Sequence, residues 1–327
     1  MSTLTQKLPP LAWLAGVPHH VRGVRTLQVC IGLVLTFRVA TESPFAPYLW
    51  GANGIATDSL KPTLGGALGG VFDALHATPF GTYLILATLA GAGLSLIFGY
   101  RTRVACAVAL VAFLALEFRL SALGDGGDNV IRIVLVYLLF TLPNGKTARP
   151  GSLSAWVHNV AVAAIVAQIC VLYATSGLMK TFGEVWHQGT AMYYISQVEW
   201  VSLPGLRDLF KDPFITTVAS YVPVLFMVTF PIAVFSRLRP LYVALGFGLH
   251  LGIAVMMGLL TFSTAMVGLE LFILNDREYA TLDAWAGRAS RKGRAVADAL
   301  RARLQPAPPP VGVLQSTAVA VPDPSDR

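Results

Sequence analysis

The chain has 327 residues, of which 55% are hydrophobic and only 13% charged, with a net charge of +7. Soluble domains carry about 25% charged residues, so this composition argues against a water-soluble domain, and its long unbroken apolar blocks argue against a β-barrel, whose strands alternate. The fold class expected is an all-α, polytopic transmembrane bundle.

Residues 1–20 read as a cytoplasmic segment. Lys7, Pro9, Pro10, His19 and His20 precede the first apolar run, and no small-residue cleavage pattern marks a signal peptide. Eight membrane segments follow, at about 24–41, 80–100, 104–123, 129–143, 157–178, 217–236, 240–258 and 261–275. Twenty residues at about 1.5 Å each cross a core of about 30 Å; the fourth and eighth are short. With the N-terminus inside, 17 of the 24 Lys and Arg fall on the cytoplasmic side and four on the outer side; the other three, Arg38, Arg119 and Arg132, lie within segments. That asymmetry predicts eight spans with both termini cytoplasmic, and it assigns the net charge to topology rather than to nucleic acid. Cys30, Cys106 and Cys170 all lie in apolar runs without metal or disulfide spacing and read as small core residues.

The two long outer loops, 42–79 and 179–216, carry aromatics and short amphipathic patterns suited to the membrane interface. Residues 276–304, rich in Ala and Arg, predict a helix on the anionic inner leaflet. Residues 305–327, with their prolines, predict a disordered tail. No internal repeat is visible.

Charges inside spans are functional candidates because each is costly there, at about 2.5–3.5 kcal/mol. In SALGDGGDNVIR (121–132), Asp128 and Arg132 are four apart and predict an ion pair on one helix face, with Asp128 as the N-cap. The same residues, with Glu117, can instead floor an outward-facing cavity. His250 sits between Gly246, Gly248 and Gly252; it reads either as a hydrogen-bonded core histidine or as part of a ligand site. In GLMKTFGEVWHQGTAMYY (177–194), Lys180 ends the fifth segment and Trp186 follows. Such a lysine either snorkels to the headgroups or, desolvated, loses its proton and acts as a base.

SGLMKTFGEVWHQGTAMYYI (176–195) resembles the central motif of the HTTM family, the bacterial branch of the vitamin K-dependent γ-carboxylase-like membrane proteins. GGDNVIRIVLVYLLFTLPNG (126–145) and HLGIAVMMGLLTFSTAMVGLELFIL (250–274) are similar to two further pieces of that family, and RGVRTLQVCIGLVLTF (22–37) resembles its sporulation-delaying-protein B type, which takes part in producing a secreted peptide toxin. The resemblance implies that Lys180 is a base, with His250 as the second catalytic residue. It implies a cofactor site at Trp186, Asp128, Arg132 and Gly189, with a reduced isoprenoid quinone as the cofactor. It also implies the bacterial cytoplasmic membrane as location. Two features depart from the carboxylase: GDGGDN occupies a region where that enzyme has a histidine, and its large extramembrane domain has no counterpart here.

Three functions follow as alternatives. One is an enzyme-like factor that matures a secreted peptide, with Lys180 and His250 beside a lipid-sized cavity that Asp128 borders and Trp186 closes. Another is a non-catalytic escort for a secreted peptide or a soluble partner subunit, docked on residues 42–79 and 195–214. The third is a proton-linked transporter with a path through Arg132, Asp128 and Glu117.

Overall fold

In a computed structural model, described for residues 9–56, 59–120, 124–199, 202–203, 205 and 207–304, every regular element among the described residues is helical. In chain order the main helices are α1 (Pro9–Leu14), α2 (Val21–Glu42), α3 (Gly66–His76), α4 (Pro79–Phe98), α5 (Thr102–Arg119), α6 (Gly126–Leu138), α7 (Leu153–Phe182), α8 (Glu184–His187), α9 (Ala191–Gln197), α10 (Pro213–Ala233), α11 (Arg239–Met257), α12 (Leu260–Ile273) and α13 (Asp276–Leu304). Residues up to Tyr279 form one unit; those from Ala280 form a second, in which α13 runs on to Leu304. The disordered tail expected at 305–327 lies outside the described residues.

Five helices are long and apolar enough to cross a membrane: the run beginning at α2 (Val21–Trp50), α4, α7, α10 and α11. The other three expected segments fall short of that measure. α5 carries Arg103, Glu117 and Arg119, and α6 and α12 have 13 and 14 residues. At about 1.5 Å per residue, the 30-residue α7 is about 45 Å long. It exceeds a bilayer core of about 30 Å, and Lys180 stands in its last turn.

α2 is the pillar of the bundle, packed against α4 on one side and α12 on the other. The α2–α4 seam depends on small residues: a Cβ on Gly32 would come within 2.6 Å of the Gly93 carbonyl oxygen. Without side chains there, the two backbones meet, as helix pairs in membranes commonly do. α7 packs on α10, and α11 on α12. Three of the long helices start on a side-chain cap. Thr78, Ser152 and Asp212 accept the amides of Gly81, Ala155 and Ile215, satisfying donors that have no partner within the helix.

At α6 the expected cap is corrected. Asp125, not Asp128, is the N-cap and accepts the amides of Gly127 and Asp128 at 2.6 and 3.0 Å, while Asp128 returns a bond to the Asp125 amide at 3.1 Å. This reciprocal capping box uses the earlier aspartate because the helix begins one turn sooner than the glycines suggested.

Candidate functional site

The C-terminal end of α7 is built by a sharp exit. The helix stops at Phe182, Gly183 turns extended, and α8 folds back so that the Trp186 ring lies 5.2 Å from Lys180 Nζ. That is a cation–π contact, and it leaves Lys180 half-buried. Glu184, the acid nearest in sequence, is bonded by Gln188 Nε2 at 3.0 Å instead. Gly189 takes a positive φ of 70° and lets the Tyr221 ring pack on its Cα face; Tyr221 in turn donates to the His187 carbonyl at 2.6 Å. Gly189 therefore shapes the turn that ties α8 to α10.

Deeper in the bundle, His250 of α11 is 1% exposed. Its Nε2 lies 2.9 Å from the Tyr173 hydroxyl of α7, which donates to Glu270 of α12; Glu270 is also 3.5 Å from the imidazole. Gly246, one turn before His250, has no side chain where the Glu270 carboxylate sits. The triad leaves His250 Nδ1 and Glu270 Oε2 buried without a hydrogen-bond partner among the described residues. Three ionisable groups sharing one hydroxyl in an apolar interior form a unit that can hold or pass a proton.

The third group lies where α2, α5 and α6 meet. Arg38 joins Asp128 to Glu42, the latter at 2.8 Å. Arg132 bonds Asn129 at 2.7 Å and pairs with Glu117 at 3.4 Å. The expected Asp128–Arg132 pair is thus replaced by bridges between helices: Asp128 faces α2 and Arg132 faces α5. Each arginine also lies over a ring, Arg38 over Phe113 at 5.2 Å and Arg132 over Phe118 at 5.7 Å.

The six expected site residues fall into these three groups rather than around one cavity. Lys180 and His250 are linked through α7, since Tyr173 and Lys180 are two turns apart on one helix face, about 10.5 Å of rise. Asp128 comes nearest to His250 through Phe262, which abuts Gly127 and lies 5.5 Å, ring to ring, from His250. Four cavities of about 300–470 Å³ lie elsewhere, and neither Lys180 nor His250 lines any of them. None of these cavities gathers the expected site residues around a quinone ring.

Sequence reasoning missed Glu270 and Tyr173, and it counted Arg38 within a segment without giving it a role. Glu270 had a plain signal, an acid within the eighth apolar segment; Arg38 had the same signal of opposite sign. Tyr173 had none.

No family model matches the chain, and no solved structure does. The chain is similar to YitO of Bacillus subtilis (strain 168), described as an uncharacterized protein, with 26% identity over 168 residues. The match takes in 46% of this chain and 53% of YitO, so the chain spans about half the length of that relative.

Proposed function

We propose that the chain is a multi-pass protein of the bacterial cytoplasmic membrane that performs acid–base work on a secreted peptide at its outer face, with Lys180 as the base. The observation that carries this reading is the setting of Lys180. Its amine is at the end of an overlong helix, half-buried over an aromatic ring, while the neighbouring acid is bonded elsewhere. The ring face positions the amine; its partial burial, without a carboxylate partner among the described residues, is what suits it to proton abstraction. The Tyr173–Glu270–His250 unit binds α7 to α11 and α12 and so sets the position of Lys180. The likeness of residues 176–195 to the HTTM motif supports the same reading, and the charge asymmetry supports eight spans with both termini inside.

A second reading, the escort, has its own observation. Met179, Phe182, Tyr194 and Phe214 are 71, 82, 56 and 76% exposed around the end of α7, an apolar rim on which a secreted peptide or soluble subunit could rest.

Lys180→Ala and Lys180→Arg separate the two. Both are introduced in the native host, their membrane levels are matched, and the mature secreted peptide is measured. Loss of product in both variants is expected, because arginine keeps the charge but cannot give up its proton. Recovery of product by arginine would overturn the base and leave the escort.

A further inference from the structure

α13 is a helix with an uncovered apolar face. Only Leu274 and Asn275 separate its start at Asp276 from the end of the apolar α12. Its first turn is fixed: Asn275 Oδ1 accepts the amides of Arg277 and Glu278 at 3.0 and 2.9 Å, and the Tyr279 hydroxyl donates to the Leu271 carbonyl at 2.9 Å. From Ala280 the helix belongs to a unit of its own. There Leu282, Trp285 and Val296 are 48, 65 and 63% exposed. Their spacing places them within about 60° of one another around the helix, so they form one apolar line. Side chains of this kind cost free energy in water in proportion to their apolar area.

The charge of the same stretch is one-sided. Residues 280–304 hold six bases, Arg288, Arg291, Lys292, Arg294, Arg301 and Arg303, against two acids, Asp283 and Asp298. With each acid set against one base, four positive charges remain. Arg288 and Lys292 follow Trp285 by three and seven residues and so stand on its side of the helix, where long stems reach past an apolar face to polar groups. Arg291 and Arg294 point to the far side. A nucleic acid would answer these charges but leave Leu282, Trp285 and Val296 in water. A second copy of the helix would answer the apolar line only in part, because a heptad seam through Leu282, Trp285, Ala289 and Val296 puts Lys292 and Arg303 in the seam. A leaflet answers both: apolar side chains enter the acyl boundary, tryptophan sits at headgroup level and bases meet phosphates.

We infer that α13 lies along the bilayer surface and binds anionic phospholipid, with Leu282, Trp285 and Val296 in the acyl boundary and Arg288 and Lys292 at the phosphates. The composition of 276–304 pointed only to a basic helix at a leaflet; the exposed side chains name the face that enters it and the bases that select the lipid. Nothing in this depends on Lys180 or on the peptide reading.

The test uses the full chain in nanodiscs of phosphatidylglycerol or of phosphatidylcholine alone. A fluorophore is attached at Val296→Cys on the apolar line or at Ala284→Cys on the opposite side, both exposed positions, and quenching by a spin-labelled lipid is read after subtracting the wild-type chain. The dye at 296 should be quenched in phosphatidylglycerol and the dye at 284 should not, and the signal at 296 should fall in phosphatidylcholine or in about 1 M salt, where the screening length is about 3 Å. Arg288→Gln and Lys292→Gln should each lower the ratio of attached to detached helix about fivefold, and Trp285→Ala should lower it in both lipids. These side chains are exposed, so the bundle's unfolding temperature should not move. Equal quenching at the two positions, equal attachment in the two lipids, or wild-type attachment of the variants would overturn the inference. So would release of the helix by an RNA oligonucleotide, which would make nucleic acid the partner, or shielding of the dye at 296 that rises with protein concentration in detergent, which would make the partner a second copy.

Discussion

At Tyr173 one hydroxyl serves two buried partners, the Glu270 carboxylate and His250 Nε2. A group with so few alternatives is expensive to remove, because both partners would lose a bond without regaining water. Tyr173→Phe keeps the ring and its packing on Phe230 at 4.3 Å but deletes the oxygen. It should destabilise the protein by about 1–3 kcal/mol, measured by denaturant titration in detergent. A change within about 0.3 kcal/mol would show that the three groups do not depend on one another. The cluster is also where sequence reading was most uneven. Lys180 and His250 stood out as polar residues in apolar runs. Tyr173 did not, since a tyrosine is ordinary in such a helix until its hydroxyl is seen to have partners 77 and 97 residues away.

Among the elements, α3 shows how a surface helix is fastened to the bundle. Asp73 accepts the Leu60 amide and the Ser59 hydroxyl at 2.9 and 2.7 Å and pairs with Arg119 of α5 at 3.6 Å. At its end, His76 is fully buried. Burial, with the nearby Arg119 charge adding to it, pushes its imidazole from 6.5 down to about 4. The sign follows directly. Between those values the unfolded chain takes up a proton that the folded protein refuses, so stability is complete above about pH 6.5 and falls as pH drops toward 4. Thermal unfolding at pH 7 and 4.5 should show this loss, and His76→Gln should shrink the difference between the two temperatures. An unchanged difference would assign the acid sensitivity to other groups.

The same contrast between local and distant causes explains what could be read of the helices. That the apolar regions are helical, and in what order they come, followed from hydropathy, because that signal belongs to each segment alone. The partners of Asp128 did not follow. Spacing within α6 offered Arg132, and the ion pair was instead made by Arg38, 90 residues earlier, since a buried carboxylate takes the cation that packing brings to it.

For the whole molecule, the count of crossings remains the property most open to direct measurement. Five helices meet the length and apolarity needed, and the alternation of basic loops predicts eight. Under eight crossings, a cysteine at Glu184 is labelled by an impermeant maleimide added outside intact cells, and one at Arg149 is labelled only after lysis. Cys30 and Cys106 are buried and Cys170 is half-buried, so labelling of the wild-type chain is subtracted as the background. Labelling of both positions from outside would rule out the alternation. The bundle itself was legible because a membrane forces long apolar runs to be helices. The division of the polar residues into three clusters was not, because it depends on which faces of α2, α7 and α12 meet.

The contacts of Asn159 also carry a consequence in time. Its bonds to the start of the chain span 140 residues, so during synthesis the segment at 13–19 emerges long before the residue that will hold it. At about 5–20 residues per second, that interval is roughly 7–28 s. Throughout it that segment lacks the contacts with Asn159 that hold it. Those contacts form only once α7 has been made, so the placement of residues 13–19 waits on the seventh helix.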